Sequence, residues 1–235
     1  MFIGMGMPIP DLANLPGVSR PGGGGGGDAG LADIDNLYSM DFDGVDDHIV
    51  TNLNLAYTVY PNITASFWIK IDPSDITATN IYYPIGVEAG VYVNGSLGRL
   101  YAESASSVKV LIQGQGGNTF STTNLADNNW HNISATYEYD SGGTIVNVYV
   151  DGSQEITNKL LLSYGPLSGS LSLGSRNGSV NFYIGKLDEV AVWNSILDTS
   201  DIEAIYNATS AGSPAQTADL SAMATPPLAW YRMGD

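Results

Sequence analysis

Cysteine is absent from the 235 residues, which removes disulfides, thiol nucleophiles and thiolate metal sites together. Basic side chains are scarce. Eight Lys and Arg stand against 24 Asp and Glu, a formal charge of -16 that repels nucleic acid and anionic lipid. No stretch approaches the roughly 20 apolar residues of a membrane-spanning helix, so membrane insertion is not expected. The opening MFIGMGMPIPDLANLPGVSR lacks the basic start and unbroken apolar run of a secretory signal. What is present is a chain that is 43% hydrophobic and carries 28 glycines, ample for a buried β-rich core with tight turns.

Residues 1–30 are set apart by Gly and Pro and end in the run Gly22 to Gly27, a composition that holds no regular element. From about residue 37 short alternating runs follow one another. ASFWIKI puts Ala65, Phe67, Ile69 and Ile71 on one face and Ser66, Trp68 and Lys70 on the other. HNISATYEY alternates through Ile133, Ala135, Tyr137 and Tyr139, which predicts half-buried strands. TIVNVYVDGSQ continues with Val146, Val148 and Val150 and reaches Asp151-Gly152, a hairpin-turn dipeptide. SLSLGS and VAVW add two more strands, and His48 falls in a strand by the same pattern. A single helix is expected, ending near Asn207, with Ser200 and Glu203 as a capping box and Ile202, Ile205 and Tyr206 as its apolar face. Many strands without βα alternation predict an antiparallel β-sandwich.

The order of MDFDGVDDHIV, ITASFWIKI, NNWHNISATYEY, VNVYVDGS, LSLGS and YIGKLDEVAVWNSILDTSDIEAIY resembles the laminin-G-like, concanavalin-A-like jelly roll over about residues 37–208. The resemblance implies an all-β, antiparallel jelly-roll sandwich with one short helix near the C-terminus, here preceded by an extended arm. It divides the chain into an anchoring arm (1–30), a jelly-roll domain (31–210) and a tail (211–235) whose PLAWYRMGD looks like the first strand of a further repeat.

Asp188 and Glu189 abut the apolar run Val190 to Trp193, although Asp disfavours strands and each charge resists desolvation. Asp41, Asp43, Asp46 and Asp47 form a second acidic cluster, whose hard oxygens suit calcium although the EF-hand spacing fails. In related jelly rolls a calcium ion joins a loop near the first strand to an Asp at the start of the last. The resemblance therefore implies Asp43, the Gly44 carbonyl and Asp188 as ligands of a structural Ca2+. The alternative makes Asp188 a hydrogen-bonded strand end and Asp43-Gly44 a simple turn. Trp130-His131 invites a catalytic reading, but in the family such a pair opens a central strand with its ring packed and hydrogen bonded. Tyr82, Tyr83, Tyr92 and Tyr101 could stack on sugars or pack within the sheets.

No Glu-x-Asp-x-Glu run, nucleophile elbow, phosphate-binding loop or His-Glu-x-x-His helix occurs, so no enzyme is expected. The beginning IGMGMPIPDLANLPG looks like the N-termini of structural proteins of tailed marine bacteriophages. The first expectation is thus a virion structural, decoration or attachment protein, a homo-oligomer whose arm engages other capsid or tail proteins and whose jelly roll meets a cell-surface glycan. The alternative is a carbohydrate-binding or adhesion module of a bacterial surface or secreted protein, located at the cell surface or outside the cell.

Overall fold

The alternating runs do form strands. The computed structural model describes residues 33–36, 38–87, 97–104, 107–140, 143–161, 169–176, 178–208, 214 and 216–233. The expected arm at 1–30 lies outside them, as do Tyr92 and the last two residues of the tail. In chain order the strands are β1 (Asp33–Asp35), β2 (Met40–Asp43), β3 (Ile49–Asn54), β4 (Asn62–Lys70), β5 (Ile81–Val87), β6 (Gly98–Ser104), β7 (Ser107–Gly114) and β8 (Gly117–Phe120). They continue with β9 (Trp130–Asp140), β10 (Gly143–Val150), β11 (Ser153–Leu161), β12 (Ser170–Leu173), β13 (Ile184–Trp193), β14 (Gln216–Ala218) and β15 (Ala229–Tyr231), and the helix α1 spans Thr199–Asn207.

Two antiparallel sheets stack face to face. One runs β11-β10-β9-β4-β13, with both β2 and β15 on the far edge of β13; the other runs β3-β12-β5-β6-β7-β8, and β1 and β14 form a small ribbon. The predicted inward faces meet between the sheets: Phe67, Ile69, Ile133, Ala135, Val146 and Val148 share one core with Ile85, Leu100, Val110 and Leu171. Asp151-Gly152 makes the two-residue β10–β11 turn, with φ of 51° and 74°. Positive φ at both central residues matches the twist of the flanking strands.

Half-burial holds less well. Trp68 and Ser66, on the supposedly outward face of β4, are 1% and 2% exposed, because α1 and the turn at Leu220–Ala222 cover the centre of that sheet. Tyr206 stacks on Trp68 with ring centroids 5.8 Å apart, and Trp193, Leu197, Ile202, Ile205 and Leu220 make a second apolar cluster there. Buried Ser66, Asn132 and Ser134 satisfy one another: Asn132 Nδ2 donates to Ser66 Oγ at 3.2 Å and Ser134 Oγ bonds Ser66 Oγ at 2.9 Å. The helix cap also differs from expectation. Asp198, not Ser200, accepts from the backbone N–H of Asp201 at 2.9 Å, and the Ser200 hydroxyl donates to the same carboxylate at 2.6 Å. His48 precedes β3 instead of lying in it. Of the tail, β14 pairs with β1, β15 pairs with β13, and Met233 joins the main core.

Candidate functional site

The acids beside the strand sit in a bulge. β13 pairs Asp188 with Trp68 and then Ala191 with Ser66, so three steps on one strand match two on its neighbour. Glu189 takes up the extra residue at φ 49°, a conformation that L-residues with a Cβ adopt at a cost. The bulge aims the two buried carboxylates, 2% and 3% exposed, at segments from opposite ends of the chain. Asp188 accepts from Asn36 Nδ2 at 2.9 Å and from the Glu189 N–H at 2.8 Å. Glu189 accepts from Trp230 Nε1 at 2.6 Å and Arg232 Nε at 3.3 Å, while the Arg232 guanidinium lies 5.4 Å over the Trp230 ring. Burial pushes the Glu189 pKa up to about 7, against the pull of Trp230 and Arg232, with Asp188 adding to the rise. This pair is a clamp on the flanking segments, and Asp188 lies at a bulge in the middle of β13 instead of at a strand end.

The expected bridge of Asp43, Gly44 and Asp188 is not assembled. β2 pairs Asp43 with Ile184, four positions before Asp188 on β13. At ~3.3 Å per residue that separates them by about 13 Å along the strand, beyond the reach of one ion. Gly44, at φ 77°, forms the turn that follows β2. The acids that do gather with Asp43 are Asp46 and Asp47, with carboxylate oxygens within 4.8 Å of one another and all three side chains exposed. Two of these carboxylates already serve the turn, since Asp43 accepts from the Val45 N–H at 2.8 Å and Asp47 from the Asp43 N–H at 3.3 Å. Asp41 instead pairs with Lys186 at 2.7 Å.

His131 opens β9 as the resemblance implied, and its ring is held from both sides. Nδ1 meets Asp151 Oδ2 at 2.8 Å and Nε2 meets Asp127 Oδ1 at 3.1 Å. Burial lowers its pKa, but Asp151 and Asp127 outweigh burial and the net shift is upward. With a carboxylate on each nitrogen the ring favours the doubly protonated form and has no lone pair to offer a substrate. Its work is to fasten the 151–152 turn to β9, assisted by Asp151 Oδ1, which accepts the Asn132 N–H at 2.9 Å.

The tyrosines singled out by sequence do not converge. Tyr82 points into the core, Tyr83 is buried, and Tyr101 leans on Phe120 across the six-stranded sheet at 5.6 Å. A different set gathers at one end of the sandwich. Tyr57 and Tyr60, from the loop between β3 and β4, face Tyr137 and Tyr139 of β9 across a shallow cleft of about 20 Å³. Spacing gave no sign of it, because about 80 residues separate the two pairs; the only sequence cue was the density of aromatics on either side of β4.

The family model of the concanavalin A-like lectin/glucanases superfamily matches residues 43–203. The chain belongs to this superfamily. Among solved structures the chain is similar to a heptameric SAP-like pentraxin from Limulus polyphemus, 15% identical with a TM-score of 0.50, covering 77% of this chain and 83% of the pentraxin. A Bacteroides ovatus protein named for carbohydrate binding is 17% identical with a TM-score of 0.55, covering 88% of this chain and 53% of its own. The receptor-binding domain of botulinum neurotoxin mosaic serotype C/D is 19% identical with a TM-score of 0.50, covering 75% of this chain and 44% of its own. This superfamily chain thus spans about half of the last two. Identities this low establish a shared fold. No curated protein sequence matches the chain. Among the described residues, no helix is long and apolar enough to cross a membrane.

Proposed function

We propose that the chain is a non-catalytic binding module that attaches to glycans or to a glycan-bearing surface receptor. The observation that carries this reading is the placement of its carboxylates in a superfamily that spans lectins and glucanases. A glycosidase needs two carboxyl groups about 5–9 Å apart across an open substrate groove. Here the adjacent pair, Asp188 and Glu189, is sealed from solvent and committed to Asn36, Trp230 and Arg232. The exposed trio, Asp43, Asp46 and Asp47, shares one turn. Fold relatives named for carbohydrate and receptor binding support the same reading.

The finer reading is display on a virion, with residues 1–30 anchored in a capsid or tail assembly; its support is the Gly/Pro-rich composition of that arm and its likeness to phage structural proteins. A glycan array probed with the full chain, alongside a reducing-sugar assay on the glycans it retains, tests the binding function. Retention without hydrolysis is the expected result, and turnover of a bound glycan overturns it. Deleting residues 1–28 is expected to spare glycan retention and abolish incorporation into particles; normal incorporation overturns the anchoring role.

A further inference from the structure

One corner of the sandwich is apolar and bare. β3 ends the order of the six-stranded sheet, so β12 pairs with one side of it and its outer edge is open. Around that edge Val45, Ile49, Val50 and Val180 are 68%, 38%, 47% and 44% exposed. They gather because the loop that follows β12 folds back over the start of β3. Gly178 backs onto the His48 ring and the Val50 side chain, the Arg176 N–H closes the loop on Val180 O at 3.1 Å, and His48 meets Phe182 with ring centroids 5.9 Å apart. Val45 stands on the β2–β3 turn, whose Gly44 lies against Ile184. Exposed apolar side chains clustered in this way mark a contact surface.

The shape and charge of the corner select what covers it. Between Val50 and Asn54 four steps of β3 oppose two steps of β12, from Ser172 to Ser170. A bulge of that size breaks the ladder, so a partner strand cannot extend the sheet along β3. Asp43, Asp46 and Asp47 rim the corner, all exposed, with carboxylate oxygens within 4.8 Å of one another. A two-fold contact between copies would bring both acidic trios to one interface, in a chain that already carries -16. The fitting occupant is a short apolar segment that has no acids and docks by its side chains. Among the stretches outside the described residues, 1–10 alone joins five large apolar side chains without a charged one. MFIGMGMPIP offers Phe2, Ile3, Met5, Met7 and Ile9, and methionine moulds itself to irregular apolar surfaces.

The intervening chain has the reach. Asn36, just after β1, is held on Asp188, four positions along β13 from Ile184, and Ile184 pairs with Asp43 beside the corner. The gap is about 13 Å along the strand and about 10 Å across to the other sheet. Residues 11–32 include the run Gly22 to Gly27, and a Gly-rich chain of that length spans about 25 Å end to end, at roughly 5–6 Å × √n. A tether whose reach is close to the gap holds its segment at high local concentration. We infer that residues 2–9 dock on the corner formed by Val45, Ile49, Val50 and Val180 of the same molecule, with Phe2, Ile3 and the methionines covering the exposed side chains. Glycan binding plays no part in this docking.

The absence of cysteine makes the test direct. In the full chain, Gly4→Cys combined with Val50→Cys is oxidised under mild conditions beside Gly4→Cys combined with Phe120→Cys, Phe120 being exposed on β8 at the far side of the same sheet. The first pair is expected to close within the monomer about tenfold faster than the second. Adding Phe2→Asp and Ile3→Asp should slow it to the rate of the Phe120 pair. In the unmodified protein the Val45, Val50 and Val180 methyl groups should show nuclear Overhauser contacts to Phe2, Ile3 or methionine protons, which keeps the test decisive if a cysteine variant misfolds. Equal closure rates for the two pairs, or valine methyl groups without those contacts, overturn the docking. Disulfides that form chiefly between molecules, and increasingly with concentration, overturn docking within one chain and give the corner to the arm of a neighbouring copy.

Discussion

Glu189 shows how much one side chain can be asked to hold. Replacing it with Ala removes the acceptor of the Trp230 indole N–H and one partner of the Arg232 guanidinium. Losing the acceptor of two half-exposed hydrogen-bond donors costs about 1–3 kcal/mol, so urea denaturation of Glu189→Ala should show a loss of that order, with early amide exchange at residues 229–231. Asp188→Asn should lower the melting temperature equally in calcium and in chelator, because Asp188 faces Asn36 and not Asp43. A drop seen only in calcium would restore a metal bridge. The oddity of two acids against an apolar run was legible in the sequence. Their partners were not, since Asn36 lies 152 positions from Asp188 and Trp230 lies 41 from Glu189, and no local spacing encodes such meetings.

At the scale of elements, α1 depends on its cap. Asp198→Ala should cost about 1 kcal/mol in thermal unfolding while Ser200→Ala stays within about 0.5 kcal/mol, the reverse of what a capping box at Ser200 and Glu203 predicts. The β9 end and the 151–152 turn carry a pH dependence. His131 is raised in the folded state, so its contribution is fully present below about pH 6.5 and fades as pH rises through the higher folded value. Glu189, raised to about 7 from an ordinary value of 4.5, acts in the same direction, because the fold favours its protonated form and loses that preference as pH climbs from about 4.5 past 7. Melting temperature should therefore fall between pH 5.5 and 8.5. His131→Gln should flatten part of that fall, and an unchanged slope would remove His131 from the account. Strands such as β4, β9 and β10 were readable from their alternation. The second buried face of β4 was not, because its cover, α1, arrives about 130 residues later.

Across the whole molecule, the sandwich is closed on one side and composite on the other. On the closed side β11 lies against β7 and β8, with the Gln115 N–H on Leu160 O at 2.8 Å. On the other, the outer edge of β13 is shared by two short strands, β2 along Ile184–Leu187 and β15 along Val190–Val192. Truncation after residue 226 should strip β15, uncover the Val190–Val192 edge and remove Met233 from the core, giving a lower melting temperature and concentration-dependent aggregation in light scattering. Both strands run in the same direction end to end, so the chain enters β2 and leaves β15 at the same place, the bulge at Asp188 and Glu189. Tension between residues 36 and 232 therefore meets the two carboxylate contacts first. It then peels β2 from Leu187 and β15 from Val190, one rung at a time in opposite directions, instead of sliding either strand lengthwise. Strands loaded in this way yield in sequence at low force, so a tether pulling on this domain would find a compliant spring whose stiffness is set by one glutamate and one aspartate.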